Sequence, residues 1–299
     1  MASDNWRVNT LHYWHVKTLH ATSQHDKNAT YKQKKAMFKK PDILQLIFIF
    51  LGGLLLLFII APIAGMLIST SPIEVFQTAA DKEVQSSIWL TLWTSMAGVI
   101  IFGLGAIPLA WIFARKKFFM KRLLLGLINI PVIIPHSAAG IALLGLVSRN
   151  TMVGGLAEHA GFNFVNSPAG IIIAMAFVSI PYLLNSAIDG FTSVPEHLEK
   201  AALTLGASRA RVFFTISLPL AARQIFTGLI MMWGRGLSEF GAVVIIAYHP
   251  MITPVMIFER FNSFGLSYAK PVTVLFICIC LVIFVAMNII SRKKNARTR

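Results

Sequence analysis

The sequence predicts an all-α membrane protein that crosses the bilayer six times and has both termini in the cytoplasm. Three observations support this fold class: the composition, the length of the apolar runs, and the side on which the basic residues lie. Of the 299 residues, 56% are hydrophobic and only 13% are charged, and the mean hydropathy is +0.69. Soluble domains carry about twice that share of charged residues, so we expect a multi-pass protein of the cell membrane surrounded by lipid.

Six apolar runs are long enough to cross a bilayer core, which takes about 20 helical residues. Pro131 and Pro135 fall inside the third run and predict a broken helix, which membranes tolerate where it packs in a bundle or lines a cavity. The runs form a membrane domain, residues 43–290, between basic tails at 1–42 and 291–299, with a cytoplasmic loop at 193–219. The predicted spans are residues 43–68, 88–113, 123–147, 169–188, 222–247 and 271–290.

Basic residues predict the orientation. The net charge is +15, but these charges flank apolar runs, which argues against a nucleic-acid partner. Dense basic clusters lie at 115–122 and 292–299, whereas the loops on the other side carry only Lys82, Arg149, Arg260 and Lys270. The positive-inside rule therefore places both termini and the loop 193–219 in the cytoplasm.

Histidine and cysteine patterns give little support for a metal site. His12 and His15 lie in the N-terminal tail, where a metal site is conceivable but a flexible tail with scattered histidines is favoured. Cys278 and Cys280 are two residues apart and point in different directions on a helix, so we expect neither a disulfide nor a metal pair.

Residues 193–219 are predicted to form two short helices separated by a break. Ser193 and Glu196 have capping-box spacing, Gly206 suits a helix stop, and Ser208 can cap the second helix. Pro219 ends that second helix or kinks it into the next segment.

One face of this loop carries almost no side-chain bulk, because it presents Ala201, Ala202 and Gly206. Another surface could approach closely there. The alternative is an amphipathic loop that rests on the membrane.

The fifth span contains an arginine, Arg235, within the glycine-rich stretch 234–241. An arginine at that depth costs about 2.5–3.5 kcal/mol on insertion scales, so it needs a partner, and Glu239 lies four residues further on. One hypothesis is that Arg235, Ser238 and Glu239, with His136 from the third span, line the route of an anion. For Arg235 and Glu239 the equally weighted alternative is an internal ion pair. For His136 a hydrogen-bonded structural histidine is favoured.

The loop 248–270 combines aromatic residues with a charged pair. Phe258, Glu259 and Arg260 are the candidates for docking a soluble binding protein, because aromatic residues and arginine are typical interface anchors. The alternative is a helix that lies on the membrane surface.

Residues 200–219 also resemble the EAA loop of ATP-binding-cassette (ABC) importer permeases. Ala201-Ala202 is followed after three residues by Gly206, and after nine more by Ile216, one residue and Leu218-Pro219. The family's usual glutamate before the two alanines is Lys200 here, and Glu199 stands one place earlier.

Two further stretches resemble the molybdate, tungstate and sulfate permease group, and in particular the archaeal molybdate/tungstate type. They begin at Ile134-Pro135-His136 and at Leu237-Ser238-Glu239-Phe240-Gly241. The resemblance implies a type I ABC importer permease fold and a homodimer that encloses the path. It also implies two ATPase subunits inside and an oxyanion-binding protein outside. Glu199, Lys200, Ala201, Ala202 and Gly206 would contact the ATPase.

No G-x-x-x-x-G-K-[ST] phosphate loop occurs, so we expect ATP and Mg²⁺ to bind the partner ATPase and no cofactor to bind this chain. The expected function is that of a permease subunit in a molybdate or tungstate importer, with a sulfate/thiosulfate importer as the alternative. A stand-alone secondary transporter or channel is a further alternative, although no internal repeat supports it. An intramembrane enzyme is disfavoured because no nucleophile–base spacing is recognisable, and no catalytic residue is assigned.

Overall fold

The structure, a computed structural model, describes residues 42–296. Within that range it is helical and contains no strand. The basic N-terminal tail with His12 and His15 lies outside the described residues. The chain divides into two units, Met1–Gly65 and Met66–Arg299, which are described separately.

The first unit holds most of one helix, α1 (Ile43–Ile68), whose bounds match the first predicted span. It has 26 residues and no charged side chain. At 1.5 Å per residue the helix is about 39 Å long, which exceeds a bilayer core of about 30 Å.

The second unit holds the other helices. In chain order the helices are α2 (Pro72–Ala80), α3 (Lys82–Arg115), α4 (Lys121–Ile133), α5 (His136–Val147), α6 (Met152–His159), α7 (Pro168–Ser193), α8 (Glu196–Thr204), α9 (Arg209–Leu237), α10 (Gly241–Ile246), α11 (Thr253–Phe264) and α12 (Leu266–Ala296). The helices α3, α7, α9 and α12 are long, and shorter helices lie between them. Helix α9 includes a π-helical turn at Phe213–Ser217.

Five helices in the described range are long and apolar enough to cross a membrane, and six spans result if the bent pair α4–α5 counts as one. The protein is therefore a multi-pass membrane protein. The count of six and the side on which the termini lie stay predictions.

The third span is broken at Pro135, as predicted, whereas α4 continues through Pro131. The chain bends by 113° between α4 and α5. Ile134 between them is extended, with φ −70° and ψ 149°, because the ring of Pro135 disfavours helical geometry in the residue before it. Pro135 has no N–H to continue the ladder, and α5 begins directly after it.

The fifth span differs from its predicted bounds of 222–247. Helix α9 already begins at Arg209 and ends at Leu237. It continues through Pro219 because the π-helical turn directly before the ring widens the helix there. The residues predicted to complete this span instead form a break at 238–240 and the short helix α10.

Helix α3 carries the two peripheral helices α11 and α8 at opposite ends. Near its start, Thr91 Oγ1 accepts a hydrogen bond of 2.8 Å from the backbone N–H of Thr253 in α11. At its last residue, Arg115 binds Glu199 in α8. We call the end that carries α8 the loop end and the end that carries α11 the far end. The core lies where α7 packs between α3 and α9.

Candidate functional site

The structure brings together the four side chains that the sequence predicted for the path. Nη2 of Arg235 lies 2.8 Å from Oε2 of Glu239, and Nη1 donates to Oγ of Ser238 at 3.2 Å. The same Nη2 lies 2.9 Å from Nε2 of His136. Nδ1 of His136 is in turn 3.3 Å from Oε2 of Glu239. We call these four residues the Arg235 cluster.

The break between α9 and α10 builds this cluster. Arg235 lies in the last turn of α9 rather than in the middle of a span, and Glu239 lies in the unwound segment. Oε1 of Glu239 accepts a hydrogen bond of 2.8 Å from the N–H of Ala242 in the first turn of α10. The chains pack closely at Gly241, where a Cβ would come within 2.7 Å of the Cβ of His136.

The ring of His136 lies against the guanidinium of Arg235. Nη2 of Arg235 is 2.8 Å from Nδ1 and 2.9 Å from Nε2 of the ring. Arginine can only donate hydrogen bonds, so the ring nitrogen that pairs with Nη2 accepts. The carboxylate of Glu239 offsets the charge of the guanidinium.

The cluster retains unused donors. Glu239 is fully buried, whereas the side chains of Arg235 and His136 are 17% and 38% exposed. Guanidinium carries five N–H groups, and the described contacts engage three of them. The exposed edge of Arg235 can therefore donate to an oxyanion, while Glu239 offsets most of the positive charge and keeps such binding weak.

An open cavity of about 780 Å³ adjoins the cluster. Arg235, His136 and Ser238 line it, together with Phe240 and the Tyr182 ring from α7. The sequence did not single out Tyr182, because one tyrosine in an apolar run gives no signal of its own. The first turn of α5 also lies here, since the N–H of Ser137 would be 3.2 Å from a Cβ at position 241. Helix N-termini favour anions.

No metal centre accompanies this cavity. In the part of the chain that the structure describes, no three His, Cys, Asp or Glu side chains come together to hold a metal ion.

The loop 193–219 forms the first predicted short helix, α8, and the predicted break after it. The second predicted short helix is instead the start of the long helix α9. The stop at Gly206 is confirmed: its φ is +86°, and the N–H groups of Gly206 and Ala207 bond to the carbonyls of Leu203 and Ala202, both at 3.0 Å. These two bonds define a Schellman motif. Ser208 caps α9 by accepting from the N–H of Arg211 at 3.3 Å, also as predicted.

The capping box predicted for Ser193 and Glu196 is wrong. Ser193 is the last residue of α7, where its Oγ donates to the carbonyl of Gly190 at 2.7 Å. Pro195 takes the N-cap position of α8 without a side-chain bond, because Val194 and Pro195 are extended and separate Ser193 from the new helix.

The small-residue face of α8 lies open. Ala201 and Gly206 are exposed and Ala202 is half-buried. Leu205 beside them is a large apolar side chain that is 88% exposed. Exposed apolar surface of this kind marks contact sites for other proteins or membranes.

The two charged residues before the alanines have different environments. Lys200 is exposed and pairs with Glu196 at 3.0 Å on the same helix. Glu199 instead faces inward, where Nε and Nη2 of Arg115 bind its two carboxylate oxygens at 2.9 and 2.8 Å. Oγ of Ser217 donates to the same carboxylate at 2.7 Å. Glu199 therefore fastens α8 to α3 and to the π-helical turn of α9.

These contacts also set the protonation of Glu199. Burial raises the pKa of the Glu199 carboxyl, but the hydrogen bonds from Arg115 and Ser217 and the charge of Arg115 outweigh it, so the pKa lies below its usual value. Glu199 is ionised at neutral pH and forms a two-point ion pair with Arg115.

The predicted docking residues on α11 are largely engaged within the chain. Nη2 of Arg260 binds Oδ2 of Asp81 at 2.7 Å, and Glu259 accepts a hydrogen bond from the Tyr248 hydroxyl. Phe258 packs on Phe240, with ring centroids 4.9 Å apart, yet it stays 43% exposed. The exposed surface of α11 is therefore aromatic, and its role in docking stays a prediction.

Comparison with known proteins gives a consistent result. Residues 106–296 match the family model of the binding-protein-dependent transport system inner membrane component. A molybdate/tungstate transport system permease protein of Thermococcus kodakarensis is 39% identical over 84% of this chain and 97% of its own length. A probable sulfate transport system permease protein of Chlorokybus atmophyticus is 30% identical over 73% of this chain and 78% of its own.

A solved structure shares the fold. It is a bacterial alginate ABC transporter in complex with an alginate pentasaccharide-bound periplasmic protein. The matched chain has a TM-score of 0.67 and 15% identity, with 83% of this chain and 94% of that chain covered.

Proposed function

The chain belongs to the family of binding-protein-dependent transport system inner membrane components and is a membrane permease subunit of an ABC importer, and we propose that it forms the path by which molybdate or tungstate enters the cell. The Arg235 cluster carries this proposal. It places guanidinium donors at the wall of an open cavity, beside a break in two membrane helices. Broken helices with their N-termini near the substrate are a recurrent design in transporters.

The charge balance of the Arg235 cluster suits weak binding of a passing anion better than tight binding. A free arginine in a dry cavity would hold a dianion tightly and slow its release. Glu239 offsets that charge at 2.8 Å, so the anion meets directed N–H groups and little net charge. The 39% identity to a molybdate/tungstate permease supports these oxyanions as substrates. The probable sulfate permease is 30% identical, so it supports sulfate less strongly.

Coupling to an ATPase is proposed for the loop 193–219. The exposed face with Ala201, Ala202 and Gly206, and the exposed Leu205 beside it, suit a cleft in a partner protein. Lys200 lies on the outer surface of α8 and can meet a carboxylate there. Glu199 acts from inside the chain, because Arg115 and Ser217 already bind it. ATP and Mg²⁺ bind the ATPase, and this chain performs no catalysis.

The assembly is proposed to be a homodimer with two ATPase subunits and an oxyanion-binding protein on the far side of the membrane. ATP binding would draw the ATPases together and move the coupling loops. The bundle would switch between an inward-open and an outward-open state by rigid-body movement. Each partner protein would bind one of these states more tightly than the other. The binding protein would deliver the oxyanion to the cavity, and hydrolysis would reset the inward state.

The experiment that tests this function uses the reconstituted complex with its ATPase and binding protein. We expect ATP hydrolysis and anion uptake to rise together when the binding protein carries molybdate or tungstate, and less with sulfate. A response to sulfate alone would favour the sulfate importer. Uptake by this chain without ATPase or ATP would favour a stand-alone transporter and contradict the proposal.

A single substitution tests the role of the cluster. Arg235→Gln keeps a hydrogen-bonding side chain and removes the charge, so we expect uptake to fall at least tenfold while assembly with the ATPase persists. Arg122→Gln, in an exposed segment at the start of α4, is the matched control and should transport normally. Unchanged uptake by a correctly assembled Arg235→Gln complex would make the cluster a purely structural ion pair.

A further inference from the structure

Helix α7 has a polar face that the Arg235 cluster does not use. Tyr182, Asn185 and Asp189 recur at helical spacing, and Asn185 and Asp189 are exposed. The opposite face is the buried core, with Leu183, Ala187 and Phe191. The polar face therefore points away from the bundle core, in a segment whose hydropathy identifies it as a membrane span.

Asn185 lies too deep for an ordinary interfacial position. It is eight residues before the end of α7 at Ser193, and at 1.5 Å per residue this is about 12 Å along the helix. Asp189 is only about 6 Å from that end, at the depth of hydrated headgroups. An amide that faced lipid chains at the depth of Asn185 would lose its hydrogen bonds to water, which is unfavourable.

Among the described residues, Asn185 has one hydrogen-bond partner on another helix. Its Nδ2 donates to Oδ1 of Asn129 in α4 at 2.7 Å, and Nδ2 of Asn129 donates to the carbonyl of Leu125 at 2.7 Å. Each amide nitrogen carries two hydrogens, and the described contacts use one of each. Within these contacts one N–H of each asparagine is left over. Asn185 is exposed and Asn129 is half-buried.

The amide pair lies between the cavity and the loop end of α7. Tyr182 lines the cavity of the Arg235 cluster, and Asn185 follows it by about one helical turn. Helix α9 packs beside α7 here, since Oγ of Ser186 donates to the carbonyl of Gln224 at 2.7 Å. The exposed residues of α9 in this stretch include Thr227. Polar groups thus extend from the cavity toward the coupling loop.

We propose that Asn129 and Asn185 form a second, uncharged station for the oxyanion on its way from the Arg235 cluster to the cytoplasm, an inference that rests on the proposed function. The free amide N–H groups donate to an oxyanion and carry no charge. They replace part of its water shell without trapping it, which a step between entry and release requires. Opening the Asn129–Asn185 hydrogen bond supplies a further donor when the anion arrives.

The test compares a negatively charged and an apolar replacement of Asn185. Asn185→Asp has nearly the same shape but places a negative charge in the path, whereas Asn185→Leu removes the donors without adding charge. In the reconstituted complex we expect ATP-driven uptake of labelled molybdate to fall at least tenfold with Asn185→Asp and about threefold with Asn185→Leu. Gln77→Glu, an exposed position on α2, adds the same charge outside the spans and should leave uptake unchanged.

Three outcomes would overturn the station. Uptake by Asn185→Asp within twofold of wild type would show that the anion does not pass this amide. Equal losses with Asp and Leu, accompanied by an equal fall in thermal stability, would assign the pair to helix packing. If the wild-type complex shows no ATP-driven uptake of any oxyanion, the proposed function fails and the station fails with it. If the wild-type complex is active and only the variants lose uptake, the result bears on the station and not on the proposed function.

Discussion

Glu199 shows how one residue can change the interpretation of a motif. Its place next to Lys200-Ala201-Ala202 made it a candidate for contact with the ATPase. The structure instead buries it against Arg115 and Ser217, so the acid links three helices of its own chain. The surface offered to a partner is then mainly apolar, because the charges of Glu196 and Lys200 offset each other.

We expect Arg115→Ala to lower the free energy of unfolding by about 3 kcal/mol, because it leaves a buried carboxylate without its counter-charge. The two side chains are only 10% and 11% exposed, which justifies a buried-pair value. Thermal unfolding of the purified protein in detergent measures the effect. Lys200→Ala removes the exposed pair on the same helix and should leave the midpoint unchanged. Equal midpoints for Arg115→Ala and wild type would show that Glu199 does not fasten α8.

The same ion pair predicts a pH dependence. The pKa of Glu199 is lower in the folded chain than in the unfolded one, so its stabilising effect is complete above the ordinary glutamate pKa of about 4.3 and is lost as pH falls through the folded value. The midpoint difference between wild type and Glu199→Gln should be constant from neutral pH down to about pH 5. It should shrink below about pH 4. A difference that grew on acidification would contradict this sign.

Among the elements, the pair α5–α10 positions the Arg235 cluster. His136 begins α5, Glu239 precedes α10, and the two helices pack closely along their length. Gly140 makes that contact possible, because a Cβ there would lie 2.9 Å from both Cα and the carbonyl oxygen of Ala242. Backbone atoms cannot move aside as a flexible side chain can.

Gly140→Ala should therefore push α5 away from α10 and cost about 1–3 kcal/mol of stability. We expect uptake to fall severalfold as well, since His136 and Glu239 lose their register. Gly145→Ala is the matched control on the same helix, because a Cβ there meets nothing within 4 Å. Thermal unfolding and uptake are measured on both. Equal behaviour of the two variants would contradict the close packing.

Several elements follow local rules that the sequence shows. The break at Pro135, the helix stop at Gly206 and the cap at Ser208 are confirmed, although the capping box at Ser193 is wrong. Prediction also failed where distant contacts or a local distortion decided the structure. The π-helical turn before Pro219 lets α9 continue through this proline. Glu199 faces inward because it binds Arg115, which lies about 80 residues earlier in the chain. The sequence also did not predict the roles of Tyr182 and Asn185, because local sequence does not show which face of an apolar helix lines a cavity.

In the whole second unit, α9 connects the two functional regions. Ser217 in its first turns binds Glu199 of the coupling loop, and Arg235 in its last turn holds the cluster. Eighteen residues separate them, or about 27 Å of helix. A displacement of α8 can therefore reach the cavity through one rigid element, with the π-helical turn at the point where the loop attaches.

The bent pair α4–α5 decides the number of crossings. Asn129 in α4 contacts α7 near the loop end, at Asn185. Leu143 in α5 shares a buried cluster with Ile171, close to the opposite end of α7. Contacts that progress along α7 in this way favour one bent crossing over a re-entrant loop, so we expect six spans with both termini on one side.

Cysteine labelling tests this topology. In a background with Cys278 and Cys280 replaced by serine, we expect Phe162→Cys to react with a membrane-impermeant maleimide in intact cells. Phe119→Cys should react only after permeabilisation. Both side chains are well exposed, at 63% and 102%, so access differs only by the side of the membrane. Phe119 precedes α4 and Phe162 follows α5, so a crossing separates them, whereas a re-entrant pair leaves them together. Labelling of both from outside would contradict six spans and the cytoplasmic placement of the basic turn.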